Sequence, residues 1–196
     1  MRFIKACIIV LIISLSLFTK AQTGYQLGTY GLYYLDKVSP TVSLFYTQEL
    51  GHKFTLINYF YVDQKWAQGI FGLNYQLTNW LSLGCMVGLQ INEKSAFRIA
   101  PVFWLKKNKF SLFGIFEKGG ERDRYKLLLY YRFSKNLRAG LYGIKLMDIY
   151  AFGPRAEFRL AKTPFYIWGT PLFVPTNGEF AAMLGLYYRF KTKKEE

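Results

Sequence analysis

The stretch Leu127-Leu128-Leu129-Tyr130-Tyr131-Arg132-Phe133 (LLLYYRF) returns at residues 184–190 as LGLYYRF, and only KTKKEE follows the second copy. Each copy reads as the end of a β-strand. Four more segments play the same part: YTQEL ending at Leu50, LNYQL at Leu77, VFWL at Leu105 and EFRL at Leu160. The endings Leu50, Leu77, Leu105, Phe133, Leu160 and Phe190 are separated by 27, 28, 28, 27 and 30 residues. Five of them run straight into a tight polar turn and a new apolar start: GHK before Phe54, TN before Trp80, KKNK before Phe110, SKN before Leu137 and AKTP before Phe165. Gly, Asn, Ser and Pro at these points supply the backbone conformations that turns require.

A repeat of this length holds two strands and two short turns. The opposite turns fall midway, at DKVSP (36–40), VDQK (62–65), NEKS (92–95), EKGGERD (117–123), LMD (146–148) and PTNGE (175–179). Six hairpins make twelve strands, expected at 24–35, 41–50, 53–62, 66–77, 80–92, 96–105, 109–117, 124–133, 137–146, 149–160, 165–174 and 179–190. The predominance of Tyr, Phe, Leu and Ile with frequent Gly supports an all-β reading.

Period-two alternation shows which face of a strand is apolar. In 80–92 one face carries Leu81, Leu83, Cys85, Val87, Leu89 and Ile91, and the other Ser82, Gly84, Met86, Gly88 and Gln90. In 149–160 the apolar face is Tyr150, Phe152, Pro154, Ala156, Phe158 and Leu160, opposite Arg155, Glu157 and Arg159. In 96–105 it is Phe97, Ile99, Pro101, Phe103 and Leu105, opposite Arg98; in 124–133 it is Tyr125, Leu127, Leu129, Tyr131 and Phe133, opposite Lys126 and Arg132. Strands 24–35, 53–62 and 165–174 alternate too weakly to orient. A soluble barrel would turn the apolar face inward, but twelve strands enclose more space than side chains are expected to fill. A membrane barrel turns that face to lipid and keeps the polar one inside. The expected fold is therefore an antiparallel up-and-down transmembrane β-barrel of about 12 strands with short turns on both sides.

The chain begins as a secretory signal peptide would. Arg2 and Lys5 precede a 13-residue apolar core, Ala6–Phe18, and Thr19-Lys20-Ala21 offers small residues for cleavage before Gln22. Residues 1–21 are read as this signal and 22–196 as a barrel domain with a short charged C-terminal tail. The apolar core falls short of the roughly 20 residues that a spanning helix needs. Without Arg2, Lys5 and Lys20 the chain keeps 23 basic against 12 acidic residues. The basic residues are scattered rather than blocked together, which argues against a nucleic-acid partner. Cys85 is the one cysteine beyond the signal, so no internal disulfide is expected.

The chain resembles bacterial outer-membrane β-barrel proteins over its whole mature length, at the level of architecture. Its most specific piece is the end. Met183-Leu184-Gly185-Leu186-Tyr187-Tyr188-Arg189-Phe190 matches the closing-strand signal of such barrels at Gly185, Tyr188 and Phe190. It departs from that signal at Met183, where a polar residue is usual, and in the six residues after Phe190. The resemblance implies a Gram-negative outer membrane, both termini periplasmic, and outer-membrane lipid and the barrel-assembly machinery as partners. It also explains the repeat: both LYYRF copies end a strand at one membrane interface, where aromatics sit at headgroup level and the arginines point to water.

Candidate chemistry is sparse. Outer-membrane lipid-modifying enzymes use a His with Ser and a carboxylate or amide, but His52 stands alone in the turn beside Gly51 and Lys53. Arg155, Glu157 and Arg159 read as a salt-bridge set inside the barrel. No metal-ligand cluster and no cofactor motif is visible. What remains is a set of charges expected in the lumen: Arg98, Lys126, Arg132, Arg138, Arg155, Glu157, Arg159 and Arg189, with Glu49 and Glu117 as further acidic candidates. Rings of Arg and Lys favour anions. The expected function is a narrow, porin-like pore for small polar or anionic solutes. The alternative is a non-conducting structural or accessory barrel in envelope assembly or secretion, with a lipid-modifying enzyme third.

Overall fold

The computed structural model describes residues 23–64, 66–92, 95–120, 123–146 and 149–191. The segment read as a signal peptide lies outside the described residues, as do residues 192–196 of the tail. Twelve strands follow one another: β1 Thr23–Tyr34, β2 Lys37–Gly51, β3 Phe54–Asp63, β4 Ala67–Gln76, β5 Leu81–Ile91, β6 Ser95–Lys107, β7 Phe110–Glu117, β8 Arg124–Arg132, β9 Leu137–Leu146, β10 Ile149–Arg159, β11 Phe165–Val174 and β12 Glu179–Lys191. Each pairs antiparallel with the next, and β12 pairs with β1 from Gly24↔Lys191 to Tyr33↔Ala182, closing the barrel. Closure leaves no strand edge unpaired, which a barrel in hydrocarbon requires.

The outward face is an apolar belt. Leu83, Leu89, Phe97, Ile99, Leu127, Leu141, Phe152, Phe158, Phe180 and Leu184 are all exposed on it, Phe180 at 74% and Leu184 at 67%. So large an uncovered apolar surface has no place in water. A strand of ten residues such as β11, rising about 3.3 Å per residue at a tilt near 40°, spans about 25 Å, the height of the lipid-facing band of such barrels. The oriented strands turn their faces as the alternation indicates: Leu83 and Leu89 of β5 outward with Met86 and Gln90 buried, and Phe97 and Ile99 of β6 outward with Arg98 buried.

The three strands with weak alternation carry large apolar residues inward as well. Tyr30, Leu32 and Tyr34 of β1 pack with Trp168, Leu172 and Val174 of β11, and Ile57 and Tyr59 of β3 pack with Ile70, Met86, Ala100, Val102 and Ile115. The interior thus holds apolar clusters beside the charges expected there. Large aromatic side chains from several strands meet across the interior, with Phe45 and Trp104 at 6.2 Å and Tyr30 and Trp168 at 5.5 Å between ring centroids.

The turns depart from expectation. DKVSP is mostly strand: Leu35 and Asp36, both at positive φ, make the reversal by themselves, and β2 starts at Lys37. A two-residue turn of this hand matches the twist of the strands it joins. At the other end Gly51, His52 and Lys53 all adopt positive φ. Two prolines interrupt a ladder. Between β10 and β11 the pairing stops after Phe152↔Phe173 and resumes at Ala156↔Gly169, and Pro154 and Pro171, which lack N–H donors, lie in the gap. Gly88 faces the interior as its parity indicates, but a Cβ there would lie 2.0 Å from the Gly69 carbonyl oxygen, so the wall admits no side chain.

Candidate functional site: the charged inner wall

The start of β1, the end of β12 and the turns GHK, TN, KKNK, SKN and AKTP share one end of the barrel, called here the terminal end; the six other turns form the far end. All eight residues singled out for the lumen lie on the inward-facing positions of their strands: Arg98 on β6, Lys126 and Arg132 on β8, Arg138 on β9, Arg155, Glu157 and Arg159 on β10, and Arg189 on β12. They fall into three groups along the axis.

At the far end Glu117 and Arg124, both buried, form an ion pair at 3.5 Å, and Gln68 Nε2 donates to Glu117 at 2.9 Å. Arg124 lies over the rings of Trp66 and Tyr61, at 4.2 and 4.5 Å from their centroids. Arg98 lies over the other flank of this group, 5.2 Å from the Trp66 ring, and its Nε donates to Gln90 at 2.6 Å. Two guanidiniums thus stack on one indole, and desolvated contacts of this kind are worth up to about 2 kcal/mol each. Trp66, Tyr61, Gln68, Gln90 and Arg124 were missed from sequence. Arg124 shares the parity of Lys126 and Arg132 and opens the expected strand 124–133, directly after the EKGGERD turn. Glu117, named as a further acidic candidate, joins this group. Glu49 stays exposed beside the irregularity between Glu49 and Gly51 at the terminal end.

At mid-height the Lys126 ammonium lies 5.8 Å from the Tyr59 ring. Arg155 lies 3.5 Å above the Trp168 ring, donates to the Tyr130 hydroxyl and reaches Thr170 Oγ1 at 3.5 Å.

Toward the terminal end Glu157, buried to 2% exposure, is the hub. Its Oε1 accepts from Arg138 Nε and the Tyr187 hydroxyl, and its Oε2 accepts from the Tyr130 hydroxyl at 3.2 Å, with Arg155 Nη2 at 4.0 Å. Tyr130 and Tyr187 hold the same place in the two LYYRF copies. The repeat therefore does more than finish strands at an interface: in each copy the second Tyr and the Phe turn outward, while the first Tyr and the Arg turn inward around one carboxylate. The Arg155–Glu157–Arg159 set is corrected in one member. Arg159 Nε donates to the Thr163 carbonyl at 2.7 Å and bridges no acid among the described residues, and the close cation is Arg138, directly opposite Glu157 on β9.

The closing-strand residues divide in the same way. Gly185 faces inward under the Trp168 ring, where a Cβ would lie 2.5 Å from the indole, and Tyr188 and Phe190 stack 6.5 Å apart on the outer face. His52 is exposed in its turn, and no group of three or more potential metal-ligating side chains occurs among the described residues.

No protein-family model matches the chain, and no curated protein matches it in sequence. Solved structures do match its fold. A KdgM porin in complex with disordered oligogalacturonate superimposes with a TM-score of 0.59 at 11% identity, over 86% of this chain and 99% of that one. The NanC porin gives 0.59 at 7% identity, over 83% and 98%. An outer membrane channel from Pseudomonas putida F1 gives 0.58 at 14% identity, over 87% and 96%. Closed twelve-strand topology, a lipid-facing apolar belt and these likenesses together make the fold that of a porin-like outer-membrane β-barrel.

Proposed function

We propose that the protein is a narrow outer-membrane channel for small anionic solutes, with both termini periplasmic and with outer-membrane lipid and the barrel-assembly machinery as its partners. The observation that carries this reading is the line of cations on the inner wall. Arg98 and Arg124 stand at the far end, Lys126 and Arg155 at mid-height, and Arg132, Arg138 and Arg189 toward the terminal end. Only Glu117 and Glu157 interrupt it with buried negative charge among the described residues. Such a wall attracts anions and repels cations. The fold neighbours include a porin holding an acidic oligosaccharide, which agrees with this reading.

The second reading, a non-conducting scaffold, is favoured by a specific observation: the interior is narrowed by two apolar clusters and by arginine–aromatic stacks. Single-channel recording in planar bilayers separates the two. A channel gives unitary currents, and in a potassium chloride gradient its reversal potential lies on the chloride side. Arg155→Ala, which frees the mid-height stack, raises the conductance and weakens the anion preference. A folded barrel that stays silent in both forms refutes the channel.

A further inference from the structure

The terminal-end mouth holds a cavity of about 180 Å³ lined by Arg132, Lys135, Arg138, Arg189, Glu157 and Tyr166 among others. Four cations face one carboxylate. That carboxylate is already held by Arg138 and Arg155 and by the hydroxyls of Tyr130 and Tyr187. Arg132, Lys135 and Arg189 have no carboxylate at ion-pair distance among the described residues. Arg189 is nonetheless fixed in place. Its Nη2 donates to Gln26 at 3.0 Å, and its guanidinium lies 5.1 Å from the Tyr166 ring, which itself stacks on Tyr187 at 4.8 Å.

We infer that this cavity is a binding site for one small phosphate-class anion, with Arg132 and Arg189 as opposed clamps and Lys135 at the rim. The inference deepens the anion reading at one end of the same lumen, but it concerns equilibrium binding and holds for a sealed barrel as well as an open one. Three features carry it. The volume suits a small oxyanion: it is several times the roughly 10–15 Å³ that one water needs. A polyvalent anion suits the unneutralised charge, and guanidinium forks match phosphate oxygens two at a time. The ligand is water-borne rather than a lipid headgroup. Tyr131, Phe133, Tyr188 and Phe190 carry the outer face at this height, whereas Arg132 and Arg189 alternate with them and point into the mouth.

The two motif copies give the site its form. One sits on β8 and the other on β12, equally distant from Glu157 on β10. In each, the Tyr satisfies the carboxylate, and the Arg that follows two residues later has no carboxylate at ion-pair distance among the described residues.

Isothermal titration of the folded barrel in non-ionic detergent, at low and constant ionic strength, tests this with inorganic phosphate as the probe. One saturable site is expected, weakened roughly tenfold or more in Arg132→Gln/Arg189→Gln, as expected for loss of two charge-assisted clamps. Lys145→Gln, which removes the same kind of charge from the outer wall beside Tyr125 and Tyr150, should leave binding unchanged. Acetate should bind roughly tenfold more weakly than phosphate. Heat-modifiable gel mobility reports folding. If the double variant does not fold, Lys135→Gln in the exposed SKN turn decides, with binding weakened roughly threefold. No saturable heat, equal affinity for acetate, equal loss in Lys145→Gln, or unchanged binding in the folded lining variants overturns the site. Binding by a barrel that passes no current removes the channel and leaves the site standing.

Discussion

The two LYYRF copies can be dissected one hydroxyl at a time. Tyr130 and Tyr187 each donate to the buried Glu157 carboxylate, whereas Tyr131 and Tyr188, their chain neighbours, face outward. Removing an inward hydroxyl deletes a hydrogen bond to a charged, buried acceptor, and such bonds are worth about 1.5–3 kcal/mol. Tyr130 also accepts from Arg155 and Tyr187 from Arg138, so each deletion leaves a guanidinium short of an acceptor too. Tyr130→Phe and Tyr187→Phe should each lower stability by about 1.5–3 kcal/mol. Tyr131→Phe and Tyr188→Phe should fall within about 0.5 kcal/mol of the parent. Glu157→Ala strands Arg138 and Arg155 in the interior and should cost about 3–5 kcal/mol. The double variant Tyr130→Phe/Tyr187→Phe should depart from additivity by at least about 0.5 kcal/mol, because both hydroxyls share one acceptor group.

The assay is reversible urea unfolding in phospholipid vesicles, followed by tryptophan fluorescence and extrapolated linearly to water. If the inward and outward Tyr→Phe variants lose stability equally, Glu157 is not the centre on which the two copies converge, and the motif is interface chemistry alone.

Other perturbations test the remaining assignments. Thr176→Cys at the far end and Lys135→Cys at the terminal end, each in a Cys85→Ala background, should differ in labelling by a membrane-impermeant maleimide on intact cells, with only Thr176→Cys reacting; the reverse pattern inverts the proposed orientation. Phe190→Ala should reduce the barrel assembled in cells far more than Phe133→Ala, while the two refold alike in lipid, since both are exposed interfacial aromatics; equal losses in cells mean that nothing reads the closing strand. Val87→Arg, on the outer face of β5, should cost about 2–4 kcal/mol on refolding into bilayers, and a neutral result would remove lipid from that face. Gly88→Ala should abolish folding where Gly69→Ala does not, because the added methyl at Gly88 meets the Gly69 carbonyl at 2.0 Å whereas at Gly69 it meets the Phe60 ring at 3.3 Å.

The strand count and the outer belt were legible because lipid imposes one strict rule, an apolar residue at every second position, and the turn residues mark its phase. The interior follows no such rule. In β1, β3 and β11 both faces are apolar at several positions, so the contrast that orients a strand is weak there, and the packed clusters around Trp168 and Ile70 could not be seen. The far-end group was hidden for another reason. Trp66 and Arg124 each open an expected strand, 66–77 and 124–133, and the contact between them joins strands far apart in sequence.

Glu157 was found in the sequence, and Arg155 with it, but Arg159 was misjudged as a partner by looking along the same strand. Residues two apart in a strand are separated by about 6.5–7 Å, whereas directly opposed residues on a neighbouring strand have Cβ atoms about 4.5–5.5 Å apart. Arg138 therefore outcompetes Arg159 for the same carboxylate. That pairing was within reach of the sequence, because the LMD turn sets the register: counting outward from the Leu146↔Ile149 pair brings Arg138 opposite Glu157. The tyrosines were not within reach in this way. Each acts across one intervening strand, β9 for Tyr130 and β11 for Tyr187, a separation of about 9.5 Å between strand axes. Only two long side chains leaning toward each other on the concave side of a closed wall can span it. The contact that joins the two LYYRF copies is thus a product of barrel curvature, and curvature is a property of the closed sheet rather than of any one strand.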